Sequence, residues 1–344
     1  MTDLALPTAR YRLLAGRILP GLALAAAVIA SLYLGKYPVS PVDLARLLLD
    51  RLTGRASLQD PTLAAILLNI RLPRVLAAVL VGATLAAAGS AFQGLFRNPL
   101  VSPDILGVSA GAGAGAVAAI LLGWPMPAIE TAAFAGGLLA VTVAFAAARL
   151  MRRGDPALVL VLAGIALDKL LMAGTTLMKL KADPYSQLPT ITYWLLGGLN
   201  GTGWNDLLGA APPAAVGLLL LLALRWRLSV ISLGEEEARA LGIETHRLRL
   251  ILVLAATLMT AAAVALAGPV GWVGLLVPHA ARLLVGPDFR RLLPAAALLG
   301  GGFVTLMDGL ARVAGPTELP LGLYTALVGA PFFLWLLAST RRGW

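Results

Sequence analysis

The sequence predicts an all-α membrane protein with ten transmembrane helices and both termini in the cytoplasm. Three features predict it: an apolar composition, apolar runs that recur at the length of a bilayer, and basic residues gathered in short clusters between those runs. Of 344 residues 59% are apolar and only 13% charged, and the mean hydropathy is +0.87, whereas a soluble globular chain carries roughly 25% charged residues. The net charge of +10 is distributed in clusters and not along one stripe, which fits membrane topology and argues against a nucleic-acid partner.

A helix needs about 20 apolar residues to cross a bilayer. Runs of this kind lie near 13–35, 70–93, 105–123, 127–150, 157–179, 205–224, 248–267, 272–285, 293–313 and 321–339. The first follows Arg10, Arg12 and Arg17 in signal-peptide charge order. It lacks a small-residue cleavage site before Lys36, so it reads as an uncleaved span. The eighth run is short. The run from Gln187 to Leu199 is shorter still and is expected as a surface or re-entrant helix, its backbone shielded from lipid. With the N-terminus inside, most of the 27 Lys and Arg residues face the cytoplasm, in keeping with the positive-inside tendency. Small residues at helical spacing, Gly82, Ala86 and Ser90 and again Gly111 and Gly115, let helix backbones approach closely in lipid.

Several chemistries are excluded. There is no cysteine, so disulfides, thiolate metal sites and cysteine nucleophiles are ruled out; His246 and His279 cannot build a metal site by themselves. No G-x-x-x-x-G-K-[ST] loop occurs, since Gly35-Lys36 runs into Tyr37, and the chain is not expected to hydrolyse ATP. Neither H-E-x-x-H nor G-x-S-x-G is present. The chain is therefore read as a non-catalytic protein that binds no cofactor.

Two polar features stand out. The stretch 233–247 opens with Glu235, Glu236 and Glu237, which suit the positive end of a helix dipole, and reaches Gly242, which suits the left-handed position that ends one. Its apolar residues Leu233, Ala238, Leu241 and Ile243 form a surface that can seat in a groove on a soluble partner. Asp168 and Lys169 lie deep in the fifth run, where charge costs several kcal/mol unless it is paired or faces water. They are read either as a functional pair or as an ion pair with a neighbouring span; Met172 and Met178 nearby suit helix packing.

Arg71-Leu72-Pro73-Arg74, Val81-Gly82-Ala83, Gln93 to Leu100 and Leu106 to Gly113 resemble, in order, the permease family of ABC importers for cobalamin, haem and ferric siderophores. The likeness continues through Leu233 to Gly242, Ala267 to Leu275, Pro278-His279, Arg282 and Glu318 to Gly322, and so covers nearly the whole chain. It implies a type II importer permease fold, with residues 1–344 as one permease domain whose coupling helices fall within about 230–247. It also implies a homodimer with two ATPase subunits that hold ATP and Mg, a periplasmic binding protein, and the bacterial inner membrane as location. By resemblance, Gly234, Glu235, Ala238, Leu241 and Gly242 couple to the ATPase, and Arg71, Arg74 and Arg312 meet glutamates of the binding protein. The same likeness assigns Asn98 and Leu100, with Ala157 and Leu158 opposite, to a cytoplasmic gate, although Asn98 serves equally well as a helix cap. Asp168, Lys169 and Met172 fall on the span that lines the path. Haem or a ferric siderophore is the expected cargo and cobalamin the alternative; an ion-coupled carrier working without an ATPase is the reading from a different class.

Overall fold

The computed structural model describes residues 6–53, 61–151, 156–315 and 317–339, and no strand occurs among them. The helices run α1 (Leu6–Tyr33), α2 (Pro41–Thr53), α3 (Pro61–Ala65), a π-helical stretch (Ile66–Arg71), α4 (Leu72–Leu95), a 3-10 turn (Pro103–Leu106), α5 (Val108–Leu121), α6 (Met126–Leu150) and α7 (Pro156–Lys179). They continue as α8 (Gln187–Leu196), α9 (Trp204–Ile231), α10 (Glu235–Ala240), α11 (Thr245–Ala267), α12 (Val273–Val285), α13 (Phe289–Val313) and α14 (Leu321–Ser339).

Six helical segments among the described residues are long and apolar enough to cross a membrane: Thr62–Leu95, Met126–Leu150, Leu158–Lys179, Trp204–Ile231, Thr245–Ala267 and Phe289–Val313. The other four predicted runs also form helix, but shorter, as Ile18–Tyr33, Val108–Leu121, Val273–Val285 and Leu321–Trp335. The third run is short because Gly107 breaks it: its φ of 82° separates the 3-10 turn from α5.

Helices α4, α11 and α13 form the centre. The apolar windows of Thr62–Leu95 and Thr245–Ala267 are each 78% buried, against 17% for Leu158–Lys179, so α7 is peripheral within the protomer and leaves a whole face uncovered. Close approach at the centre depends on missing side chains. A Cβ on Gly82 of α4 would stand 2.0 Å from the Gly300 carbonyl of α13, which is why the small-residue stripe read from the sequence sits there. Helix α8 has its C-terminal backbone shielded as expected: Gly198 N–H donates to the Ala267 carbonyl at 2.8 Å, and Leu321 N–H donates to the Gly197 carbonyl at 2.9 Å.

One helix and one backbone conformation exceed the sequence reading. Helix α2 lies outside every predicted span, and Ser40 with Asp43 closes its start reciprocally: Asp43 N–H donates to Ser40 Oγ at 3.2 Å and Ser40 N–H to Asp43 Oδ2 at 3.1 Å. The Ser40-Pro41-Val42-Asp43 string is a capping box with proline at the first helical position, a signal present in the sequence. Trp272 starts α12 with φ at 71°, a strained state for a bulky residue. Its ring packs against Phe333 at 6.1 Å between centroids, and a Cβ on Gly329 of α14 would meet it at 2.7 Å.

Candidate functional site

Helix α10 is one and a half turns closed at both ends. Gly242 takes φ of 77°, so its N–H donates to the Arg239 carbonyl at 2.9 Å while Ile243 N–H reaches the Ala238 carbonyl at 3.0 Å, a Schellman ending. Glu235 anchors the opposite end: its carboxylate accepts from Arg239 Nη2 at 2.7 Å, Thr245 Oγ1 at 3.1 Å and Arg249 Nη2 at 3.4 Å. Burial acts to raise the Glu235 carboxyl, but the Thr245 hydroxyl and the Arg249 and Arg239 charges outweigh it and hold the group below the usual glutamate range. The stretch therefore projects rigidly from the ends of α9 and α11. Ala238 is fully buried and Gly234 is buried with it, which corrects the expectation that Ala238 belongs to a partner-facing surface: packed against its own bundle, it cannot touch another chain. Leu233, 68% exposed, and Leu241, 61% exposed, stand outward beside Gly242.

The turn after α4 is also tightly specified. Arg97 occupies the left-handed region at φ of 49°, Asn98 N–H donates to the Gln93 carbonyl at 3.1 Å, and Asn98 Oδ1 accepts from Leu100 N–H at 2.9 Å. The Asn98 amide thus closes its own turn and does not cap a helix. Gln93 is held in turn, donating to the Leu275 carbonyl at 3.2 Å and accepting from Arg282 Nη2 at 3.0 Å, so α12 clamps the start of this turn. Leu100 and Leu158 are both exposed; the Ala157 side chain lies outside the described residues.

On α7, Lys169 Nζ lies 3.2 Å from Asp168 Oδ2, with side-chain exposures of 72% and 26%, and 3.9 Å from the exposed Met172 sulfur. Of the two sequence readings, an ion pair buried against a neighbouring span is not what forms: the pair is made between consecutive residues on the open face of the helix.

Arg71, Arg74 and Arg312 are brought together, but inward. Arg74 donates to both oxygens of Asp308 through Nε at 3.0 and 3.1 Å, to Glu318 at 2.8 Å and to Asn200 at 3.1 Å. Arg312 Nε lies 3.2 Å from Asp308 Oδ2, and its Nη2 donates to the Ser31 carbonyl at 3.0 Å. Arg71 reaches the Leu32 carbonyl at 2.6 Å and also bonds Tyr37. All three arginines are buried. The expectation of outward-facing docking arginines is thereby corrected: their donors are occupied within the chain, tying the end of α1, the start of α4 and the end of α13. The residue that sequence reasoning missed is Asp308. A lone acid inside an apolar run, four residues before Arg312, is the signal that marks it.

At the opposite end of α13, Asp288 caps the helix, accepting from Arg290 N–H at 3.0 Å, from Arg290 Nε and Nη2 and from Ser229 Oγ at 3.2 Å. The Arg290 side chain foremost, against the effect of burial, holds the Asp288 carboxyl down to about 2. A carboxyl below its unfolded value of roughly 3.9 stabilises the fold above that pH and loses its contribution as pH falls through 2. Asp288→Ala is expected to lower stability by about 1 kcal/mol at neutral pH, with the gap to wild type closing between pH ~4 and 2. Thermal unfolding in detergent at pH 7 and pH 2.5 checks this; an equal gap at both would refute the charge part.

The FecCD transport family model matches residues 23–339. The chain is 46% identical over 271 residues to the cobalamin import system permease protein BtuC of Halobacterium salinarum, covering 78% of this chain and 72% of that one. It is 37% identical over 331 residues to the molybdate import system permease protein MolB of Haemophilus influenzae, covering 95% and 97%. With the hemin transport system permease protein HmuU of Yersinia pestis the identity is 40% over 282 residues, 80% and 84% of the two chains. A solved metal-chelate type ABC transporter in an inward-facing conformation superposes with a TM-score of 0.84 at 34% identity, covering 93% of this chain and 98% of that one. With this family match across almost its full length, and with multiple apolar helices to sit in a bilayer, the chain belongs to the FecCD transport family and is a membrane permease of an ABC importer.

Proposed function

We propose that two copies of this permease, each crossing the bacterial inner membrane ten times with both termini cytoplasmic, enclose a path lined by α7 and import an anionic iron chelate, haem or a ferric siderophore. Two ATPase subunits holding ATP and Mg engage the end that carries α10, where Leu233 and Leu241 are exposed, and a periplasmic binding protein delivers cargo at the other end. The observation that carries this reading is the uncovered charge on α7. Lys169 sits midway along an apolar helix with its side chain 72% exposed. Facing lipid it would cost several kcal/mol, so that face belongs against a second copy and a water-filled path. A positive charge there attracts carboxylate-bearing cargo and does nothing for a neutral one.

Cobalamin is the second reading, favoured by the 46% identity to a cobalamin permease. Proteoliposomes containing the permease, its ATPase and the binding protein separate the two. Lys169→Met is expected to reduce uptake of haem or a carboxylate siderophore about ten-fold, equivalent to ~1.4 kcal/mol, and to leave cobalamin uptake as it was. Unchanged uptake of every anionic chelate would end the proposed role of Lys169, and transport by the permease alone would restore the ion-coupled carrier.

A further inference from the structure

Where the first apolar run begins, α1 and α13 part to leave a cavity of about 390 Å³ lined in part by Gly16, Pro20, Asp288, Arg290, Arg291 and Pro294. Its charge is unbalanced. Arg290 is matched by Asp288 through bonds of 3.0 and 2.8 Å, whereas the exposed Arg291 side chain has no ion-pair partner among the described residues. A cation in the first turn of a helix opposes the helix dipole, so the 25-residue α13 begins with one arginine that only an external anion can balance. Pro20 and Pro294 lie inside their helices and lack the N–H groups that would bond the carbonyls of Gly16 and Arg290. Two residues lining the same cavity are thereby left with carbonyl acceptors short of their helical donors. The polar-to-apolar boundary crosses it on both walls, between Arg17 and Ile18 and between Arg291 and Leu292, and Ile18, Leu19 and Leu22 stand exposed beyond it.

We propose that this cleft binds a phospholipid with an anionic phosphodiester and a hydroxylated headgroup. Arg291 takes the phosphate, the freed carbonyls accept from the headgroup hydroxyls, and the acyl chains lie along the exposed apolar face of α1. Basic clefts between helices at the membrane boundary suit such headgroups, each arginine near the surface contributing about five-fold in affinity. Bound there, the lipid bridges α1 to α13.

The full chain purified in detergent is challenged with phosphatidylglycerol or phosphatidylcholine, and bound lipid is read by native mass spectrometry alongside the thermal unfolding midpoint. Wild type is expected to retain phosphatidylglycerol in preference and to gain stability from it alone. Arg291→Gln is expected to lose about five-fold in that retention, with Arg291→Lys largely restoring it. Arg227→Gln, which removes an exposed arginine from the end of α9, is expected to retain it like wild type. Equal retention of phosphatidylglycerol by Arg291→Gln and wild type would overturn the proposal. So would equal binding of phosphatidylcholine, or displacement of the lipid by glycerophosphoglycerol, which carries the same single phosphodiester charge without the chains.

Discussion

Asp308→Ala is expected to lower the unfolding free energy by about 3–5 kcal/mol, the range seen when one partner of a buried ion pair is removed. Asp308 is 1% exposed and is the carboxylate shared by Arg74 at 2.9 Å and Arg312 at 3.2 Å. Its removal strands both guanidinium groups away from water, leaving Glu318 and the Asn200 amide to serve Arg74 and only backbone and Ser31 oxygens to serve Arg312. The loss therefore exceeds what any surface pair of similar length yields, since exposed pairs are worth ~1 kcal/mol or less. Monodisperse yield from size exclusion and the thermal midpoint report it. The compensating variant Arg74→Met/Asp308→Leu/Arg312→Met should recover much of the loss, because well-packed apolar replacements for buried ionic groups are often neutral. A single variant as stable as wild type would mean that water reaches this cluster.

The second large effect concerns one substitution with opposite signs at two sites. Gly82→Ala puts a methyl group 2.0 Å from the Gly300 carbonyl and 2.5 Å from its carbon, forcing α4 and α13 apart at the centre of the bundle. A loss of about 3 kcal/mol is expected, the upper end for overpacking. Gly21→Ala in α1 meets nothing within 4 Å and is expected to gain about 0.5–1 kcal/mol by restricting the unfolded chain. Midpoints for the two variants that move in the same direction would refute the close-contact account.

The positions of the helices were legible because hydropathy and proline punctuation are local properties. All ten apolar runs fall on helices, and the glutamate start and Gly242 end of α10 were readable from eight residues of sequence. What stayed hidden is contact between distant residues. Arg74 and Asp308 lie 234 positions apart, and no periodicity connects them, so arginines that the family resemblance assigned to a docking partner were read as facing outward. Ala238 was misassigned for a related reason: a six-residue helix has too few turns for its pattern to say which side meets the bundle. The charged pair on α7 was visible as an anomaly of composition, while its orientation depended on knowing that this helix lies at the edge of the protomer.

The π-helical stretch Ile66–Arg71 interrupts a helix that otherwise runs unbroken from Thr62 to Leu95. A π turn holds one residue more than the α turn it replaces. Removing a single residue within it would let the segment relax to ordinary α geometry with both flanks keeping their azimuths, whereas the same deletion in a plain α stretch would swing everything upstream by about 100° around the axis. The chain thus carries a slack turn: one surplus amino acid is taken up beside the arginine cluster, and its loss would leave Pro61–Ala65 aimed as it is without disturbing the bundle.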